Sequence, residues 1–334
     1  MRIALDAMGG DYAPTNIISG AILALREYHR ISKLFLVGDR DQIVRHLGEK
    51  NCRDRRVEVV HTTQVVEMSD SATESVRRKK NSSVSMAVDL VKDGSADALV
   101  SAGHTGATVA ATTIKLRTLK GIERPGIASY LPTEHNVCVL IDAGANIEAR
   151  PEYMLQYAVM GTVLSKHVLG FPNPAVGLMS IGGEDAKGSD LIKESFKLLK
   201  STKLNFRGNV EGHDLFECPV EVVLCDGFTG NVVLKTCEAT AAAVFHWLKR
   251  ELKKGVLHQM GAYMVRNAFR TIWNKTNYET YGGSPLLGVN GICIIAHGAS
   301  SPLAVKNAVR VATEFIEQGI NPRITEAIKH YKVV

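Results

Sequence analysis

From Val220 to Cys225 every residue except Glu221 is apolar or β-branched, and the run stops at Asp226-Gly227. Apolar residues then return at helical spacing from Thr229, through Leu234, Ala241 and Phe245 to Leu248. A buried strand that breaks in a glycine turn and re-enters as a helix is the repeating unit of a parallel α/β sheet. The turn itself, Asp226-Gly227-Phe228-Thr229-Gly230-Asn231, points backbone N–H groups at one spot. Such a spot favours an anion, either phosphate or a developing oxyanion. It also carries a carboxylate, a hydroxyl, an amide and, one turn on, Lys235.

The same alternation runs along the whole chain. Strands are expected at Arg2–Ala7, Lys33–Val37, Arg56–His61, Ala98–Ser101, 137–141, 175–181, 220–225 and 292–296. Helices are expected at Pro14–Tyr28, 41–49, Thr73–Lys92, 104–117, 151–169, 188–200 and 301–318. That order predicts a Rossmann-like α/β fold, a largely parallel sheet flanked by helices. No repeat, low-complexity tract or Pro/Ser linker marks a boundary, so residues 1–334 read as one α/β catalytic unit.

Composition narrows the function classes. With 45% hydrophobic and 22% charged residues the chain suits a globular protein with a sizeable core. No apolar run is long enough for a membrane-spanning helix, and Met1-Arg2-Ile3-Ala4-Leu5-Asp6 enters a strand at once rather than resembling a signal peptide. Six cysteines without paired spacing read as free thiols in a reducing cytoplasm. A net charge of +6 permits an acidic partner, and no RNA-binding aromatic motif or basic tail argues for nucleic acid.

Ligands of open parallel sheets bind beyond the carboxyl ends of the strands. Strand ends here carry Asp6-Ala-Met-Gly9-Gly10-Asp11, Ser101-Ala-Gly103-His104-Thr105-Gly106 and Asp142-Ala-Gly-Ala-Asn146. Further ends carry Ser180-Ile-Gly182-Gly183-Glu-Asp-Ala-Lys187-Gly188 and Ala296-His297-Gly298. Plainer readings exist for each: Asp6 and Asp142 as turn-stabilising carboxylates, His104 and His297 as structural histidines, Lys187 as a solvated lysine, Cys225 as core. G-x-G-x-x-G, G-x-S-x-G, H-E-x-x-H and cysteine clusters are absent, and Lys187 precedes its second glycine, unlike a Walker loop. The residues alone therefore indicate an α/β enzyme handling a phosphate or acyl group.

Eight segments together resemble the bacterial phosphate acyltransferases (acyl-acyl carrier protein:phosphate acyltransferases, the PlsX type). They are Asp6–Asp11, Arg78–Ser83, Ser101–Ala107, Glu123–Pro125, Gly208–Gly212, Asp226–Asn231, Tyr281–Gly288 and Ala296–Gly298, in the family's order and spread over nearly the whole chain. Three positions depart from the family's habit. His104 stands where Asn is usual, Gly183-Glu184-Asp185 varies Gly-Glu-Glu, and Ser284 replaces a more frequent Ala. The resemblance implies transfer of a long fatty acyl group from acyl carrier protein to inorganic phosphate, giving acyl phosphate for phospholipid synthesis. It also implies a fold related to phosphotransacetylases and isocitrate-dehydrogenase-like enzymes, a homodimer, no metal or organic cofactor, and a product passed to a downstream membrane acyltransferase.

Phosphate is already a nucleophile, so such a site must position it and stabilise the oxyanion. The expected catalytic set is Lys187, Asn231 and His297. Lys187 and Asn231 would bind phosphate and polarise the carbonyl; His297 would orient phosphate or protonate the leaving thiolate. The expected binding set is Asp6, Gly9, Gly10, Asp11, Ser101, Gly103, His104, Thr105, Gly106, Asn146, Asp226, Thr229, Gly230, Lys235 and Gly298, with N–H groups around Thr229–Asn231 and Ser101–Gly106 as the anion cradle. Acidic acyl carrier protein needs a basic patch, for which Arg77-Arg78-Lys79-Lys80 and Lys249-Arg250 with Lys253-Lys254 are candidates. Residues 256–273 place Val256, Leu257, Met260, Tyr263, Met264, Phe269, Ile272 and Trp273 at helical spacing among His258, Arg266 and Arg270. Within a projection over 255–278, that stretch suits a dimer interface, ordinary core packing or peripheral contact with the membrane, and the family's lipid product favours the membrane. Two rival functions are a short-chain phosphotransacetylase acting on acyl-coenzyme A and a non-catalytic scaffold for acyl carrier protein or membrane.

Overall fold

The computed structural model describes residues 1–134, 136–217 and 220–331, the Tyr278 side chain excepted. Residues 135, 218, 219 and 332–334 of the expected unit lie outside the described residues. The strands are β1 (Arg2–Asp6), β2 (Lys33–Gly38), β3 (Val57–His61), β4 (Ala98–Ser101), β5 (Gly126–Pro132), β6 (Val137–Ile141), β7 (Val176–Met179), β8 (Phe206–Val210), β9 (Val222–Leu224), β10 (Ser284–Leu287) and β11 (Ile292–Ile295). The helices are α1 (Thr15–Glu27), α2 (Arg40–Glu49), α3 (Ala72–Arg78), α4 (Ser83–Lys92), α5 (Thr105–Leu116), α6 (Pro151–His167), α7 (Asp190–Lys200), α8 (Asp214–Glu217), α9 (Gly227–Leu252), α10 (Val256–Met264), α11 (Arg266–Thr276), α12 (Tyr278–Tyr281), α13 (Pro302–Gln318) and α14 (Ile320–Ile328).

All strands join one sheet in the order β3-β2-β1-β4-β11-β10-β5-β6-β9-β7-β8. The expected parallel pairing holds in two blocks, β3-β2-β1-β4-β11 and β6-β9-β7-β8. Between them β10 and β5 pair antiparallel with each other and with their outer neighbours. Three successive reversals make the two blocks run in opposite directions. Each block therefore gathers its own set of carboxyl-end loops. Leu5 pairs with Val100 and Ile295 with Ser101, so β1, β4 and β11 end level. Likewise Leu224 pairs with Ile141 and Leu178, which aligns the ends of β6, β9 and β7.

Burial follows the sequence pattern. Ile3, Leu5, Leu34, Leu36, Val222 and Leu224 are fully enclosed, and α1, α6, α13 and α14 cover their face of the sheet. α4 and α5 cover the opposite face through Ala87, Val88 and Ala111. Two expected helices divide. The 73–92 segment breaks at Lys79 into α3 and α4, and 256–273 breaks at Val265 into α10 and α11. Neither α10 nor α11 contains a buried residue.

Candidate active site

The loops of the first block lock together before they reach any ligand. Asp6, ending β1, is 2% exposed and accepts a hydrogen bond from Ser101 Oγ at 2.7 Å. Burial raises its pKa above the ordinary carboxylate range, opposed by donors on Ser83, Ser101, Met8 and Gly9. Gly103 N–H donates to Ser101 Oγ, and Asp11 N–H donates to the Gly298 carbonyl. A side chain at Gly9 would collide with the Asp6 carboxylate and with Gly103. Asp6, Gly9, Gly10, Asp11, Ser101, Gly103 and Gly298 thus form a framework that fixes the loops, and Asp6 is spent internally rather than presented to substrate.

The second block does the same through Asp142. Its Oδ1 accepts from the N–H groups of Ile127, Gly144 and Ala145, and its Oδ2 from Asn146 N–H at 2.8 Å. Asn146 in turn donates to the Pro125 carbonyl and to the Tyr157 hydroxyl, and its carbonyl receives Gly227 N–H. Asn146 is therefore a brace behind the site. Asp226 caps α9, accepting from Thr229 N–H at 2.9 Å and Thr229 Oγ1 at 2.7 Å. Gly230 N–H donates to the Asp226 carbonyl.

At the start of α9, expected to share in the anion cradle, the N–H groups of Gly227, Thr229 and Gly230 already have acceptors within the chain. Asp226 further places a carboxylate at the positive end of the helix, which disfavours a second anion. The start of α5 differs. His104 Nδ1 caps it by accepting from Ala107 N–H at 3.2 Å, and among the described residues no acceptor is recorded for Thr105 N–H or Gly106 N–H. Those two donors, at a helix N-terminus with no acidic residue in its first turn, form the better anion seat.

His104 performs the capping that an Asn side chain performs with its carbonyl oxygen, which accounts for the departure at this position. His104→Asn is expected to leave turnover and melting temperature nearly unchanged. His104→Ala is expected to cost about 1 kcal/mol, read by denaturant unfolding.

Between the two sets of loops, over the central strands, lies a cleft. Its floor is Ile127, Ser129, Ser284 and Ile295; its walls include Thr105, His297 and Ser300 from one block and Ala143, Asn231, Leu234, Lys235 and Glu238 from the other. Tyr130, Tyr281, Gly282 and Gly283 close one side. Of the expected residues, Thr105, Asn231, Lys235 and His297 meet here. His297 Nδ1 accepts from Ala299 N–H, so the neutral ring carries its proton on Nε2. Lys235 Nζ is paired with Glu238 at 2.7 Å. Lys187 is exposed and is not part of this lining; it sits on the loop after β7, at the sheet edge where the Asp226–Asn231 turn also leaves. Cys225 is buried and its thiol donates to the Asp142 carbonyl at 3.4 Å. Burial, Asp142 and Asp226 push its pKa well up, so it is core and not a nucleophile.

Sequence reading passed over Ser129, Tyr130, Glu238, Ser284 and Ser300 as site residues. Ser129 and Ser284 face each other with oxygens 2.6 Å apart, on the two central strands. A signal existed at Tyr281-Gly282-Gly283, since Gly282 passes so near the Asn307 backbone that a Cβ would lie 2.4 Å from it. Among the described residues no group of three or more His, Cys, Asp or Glu is placed to hold a metal ion.

The chain has an α/β fold that it shares with solved phosphotransacetylases. A phosphotransacetylase from Streptococcus pyogenes superposes with a TM-score of 0.61 at 16% identity, covering 95% of this chain and 94% of that one. A branched-chain phosphotransacylase from Enterococcus faecalis gives 0.55 at 15% identity, covering 95% and 99%. At the sequence level residues 1–323 match the family described as "Fatty acid synthesis protein", and the chain belongs to that family. Its relatives include proteins named phosphate acyltransferase. The one from Akkermansia muciniphila is 51% identical over 332 residues (98% of this chain, 95% of the relative), and the one from Pelotomaculum thermopropionicum 47% identical over 333 (100% and 96%).

Proposed function

We propose that the protein transfers a long-chain fatty acyl group from acyl-acyl carrier protein to inorganic phosphate, giving acyl phosphate for phospholipid synthesis. The observation that carries this reading is the cleft that brings Thr105, Asn231 and His297 together from opposite loop sets. Phosphate sits at the α5 N-terminus and attacks the thioester carbonyl carbon. The carbonyl oxygen takes the negative charge, which the Asn231 carboxamide N–H stabilises as it forms. The C–S bond then breaks, and the carrier thiolate takes the proton that the attacking phosphate releases, while His297 Nε2–H hydrogen-bonds the leaving sulfur. No protein nucleophile is needed. The test is product formation from palmitoyl-acyl carrier protein plus phosphate, with acetyl-coenzyme A in parallel. Turnover with the carrier-protein substrate supports the assignment. Turnover with acetyl-coenzyme A alone favours the short-chain rival, and none with either favours a scaffold.

Geometry favours one carrier-protein patch. Ala72 on α3 lies close to Gly106, and Ser83 beside the patch bonds Asp6, so the 77–80 segment borders the anion seat. Within it Lys79 is tied to Asp70 and Arg78 to Glu74, both at 2.6 Å, while Arg77 and Lys80 are exposed. Reversing both charges, Arg77→Glu with Lys80→Glu, is expected to raise KM for acyl carrier protein about tenfold at low salt and less at high salt. An unchanged KM would move docking to Lys249 and Lys253.

No helix of the described residues is long and apolar enough to cross a membrane. α10 and α11 instead supply a surface. Val256, Leu257 and Met264 are 75%, 82% and 83% exposed, with Tyr263 and Met260 beside them. Phe269, by contrast, turns toward Phe245, Leu248 and Leu252 on α9, and Trp273 packs edge-on to Phe245 at 5.0 Å. The exposed set serves peripheral membrane contact, near the downstream membrane acyltransferase, in a cytoplasmic homodimer. Leu257→Glu with Met264→Glu is expected to reduce co-sedimentation with anionic liposomes at least about tenfold. If the variant instead sediments as a monomer where the parent is a dimer, the face is the subunit interface.

A further inference from the structure

A second groove, outside the cleft's lining, runs between α6 and α14. It has a volume of about 340 Å³ and is bounded by Val159, Thr162, Lys166, His167, Leu204, Arg323, Glu326 and Tyr331. Three basic side chains converge on it. Among the described residues no carboxylate pairs with Lys166, His167 or Arg323; Arg323 Nε donates to the Gln318 carbonyl at 2.8 Å, and no acceptor is recorded for its two terminal nitrogens. The one carboxylate at the rim, Glu326, is held by Lys329 at 2.6 Å and approached by His330 at 4.0 Å. Partial burial, Arg323 and Lys166 all hold the His167 pKa below its ordinary value, as expected where positive charge is in excess.

Leu204 and Ala327 supply an apolar wall, backed by the buried Val159 and Val163. The C-terminal end of α6 opposes an anion with about half a charge, but two fixed cations and a titratable third outweigh it. A carboxylate has two oxygens to offer this donor set, whereas a phosphate monoester has three terminal oxygens for the guanidinium, ammonium and imidazole.

We propose that the α6–α14 groove binds a phosphate monoester carrying an apolar substituent, with Arg323, Lys166 and His167 on the phosphate and Leu204 and Ala327 on the substituent. The site is separate from the cleft, so it stands whether or not the acyl-transfer assignment does. The charges facing His167 are Lys166 on its own helix and Arg323 and Glu326 on α14, with the Tyr331 ring beside them. An added dianion reverses the local sign.

The test is an NMR titration of the full chain with dodecyl phosphate, read at the His167 Cε1–H signal and assigned with His167→Gln. Binding is expected to raise the His167 midpoint by about one pH unit. Arg323→Gln and Lys166→Gln, both surface changes, are each expected to weaken that binding about tenfold while leaving turnover in the cleft unchanged. Inorganic phosphate is expected to bind the same signal more weakly. An unmoved His167 midpoint, unaltered affinity in both variants, or equal binding of dodecanol would each overturn the proposal.

Discussion

Replacing Asn231 with alanine is expected to lower kcat for acyl phosphate formation about 100-fold, with KM for phosphate changed by less than about threefold. The asymmetry follows from where the groups sit. In the mechanism proposed above, Thr105 and Gly106 N–H hold phosphate in the ground state at the α5 start, while Asn231 stands across the cleft near the start of α9. Its carboxamide gains its full interaction only when the carbonyl oxygen becomes an oxyanion, so its loss is felt in kcat. Lys235 cannot take over, because its ammonium is engaged by Glu238 at 2.7 Å. Gly144 faces the Asn231 side chain, 3.7 Å from its amide carbon at the position a Cβ would take, so no neighbouring side chain fills the gap. Lys187→Ala separates two readings. A comparable loss would mean that the 180–189 loop closes on the substrate. Turnover within about threefold of the parent would return Lys187 to the surface lysines. Steady-state kinetics with palmitoyl-acyl carrier protein, alongside a melting temperature to confirm folding, decides both. An Asn231→Ala kcat within about threefold of the parent would remove Asn231 from the chemistry.

What could be read in advance was set by how far each signal is local. Strands buried on both faces, such as Leu34–Val37 and Val222–Leu224, announce themselves as apolar runs, and β1, β4, β9 and β11 were legible for that reason. The two central antiparallel strands were not. β10 contains Pro285, and a proline argues against a central strand. Here Pro285 pairs with Ile294 of β11, and the ladder to β5 runs through Leu286 and Leu287. β5 begins at a glycine and ends at a proline, and β8 carries Arg207, Gly208 and Asn209. Missing those strands also hid the reversal that turns one sheet into two opposed loop sets. The site was half legible for the same reason. Strand-end motifs marked the right loops, yet nothing in the spacing separates Asp6 and Asn146, which brace loops from behind, from Thr105 and His297, which reach the cleft. That division depends on pairings distant in the chain, such as Asp6 with Ser101 and Asn146 with Gly227.

Gly230→Ala is expected to be the most damaging single methyl in the chain. The added Cβ would lie 1.9 Å from the Asp142 carbonyl oxygen and 2.8 Å from Cys225 Sγ. Where the obstacle is the far end of a flexible, exposed side chain, as at Gly182 against the Glu184 carboxylate, the side chain can swing aside. At Gly230 the obstacle is backbone that cannot yield. Asp142 is 0% exposed, its N–H is bonded to the Cys225 carbonyl, and its carboxylate gathers Ile127, Gly144, Ala145 and Asn146. Moving that carbonyl would uncouple β6 from β9 and leave buried polar groups unpaired, each at about 1–3 kcal/mol. The alternative, displacing the start of α9, breaks the Asp226 cap and swings Asn231 away from the cleft. Either route should cost about 3 kcal/mol or more, at the upper end for overpacking. The measurement is denaturant unfolding of Gly230→Ala beside Gly212→Ala, a control with nothing within 4 Å of the new methyl. Gly212→Ala is expected to stay within about 0.5 kcal/mol of the parent. Near-parental stability in Gly230→Ala would mean that the turn can be repacked around a methyl, and that the close approach of β6 and α9 does not set the position of Asn231.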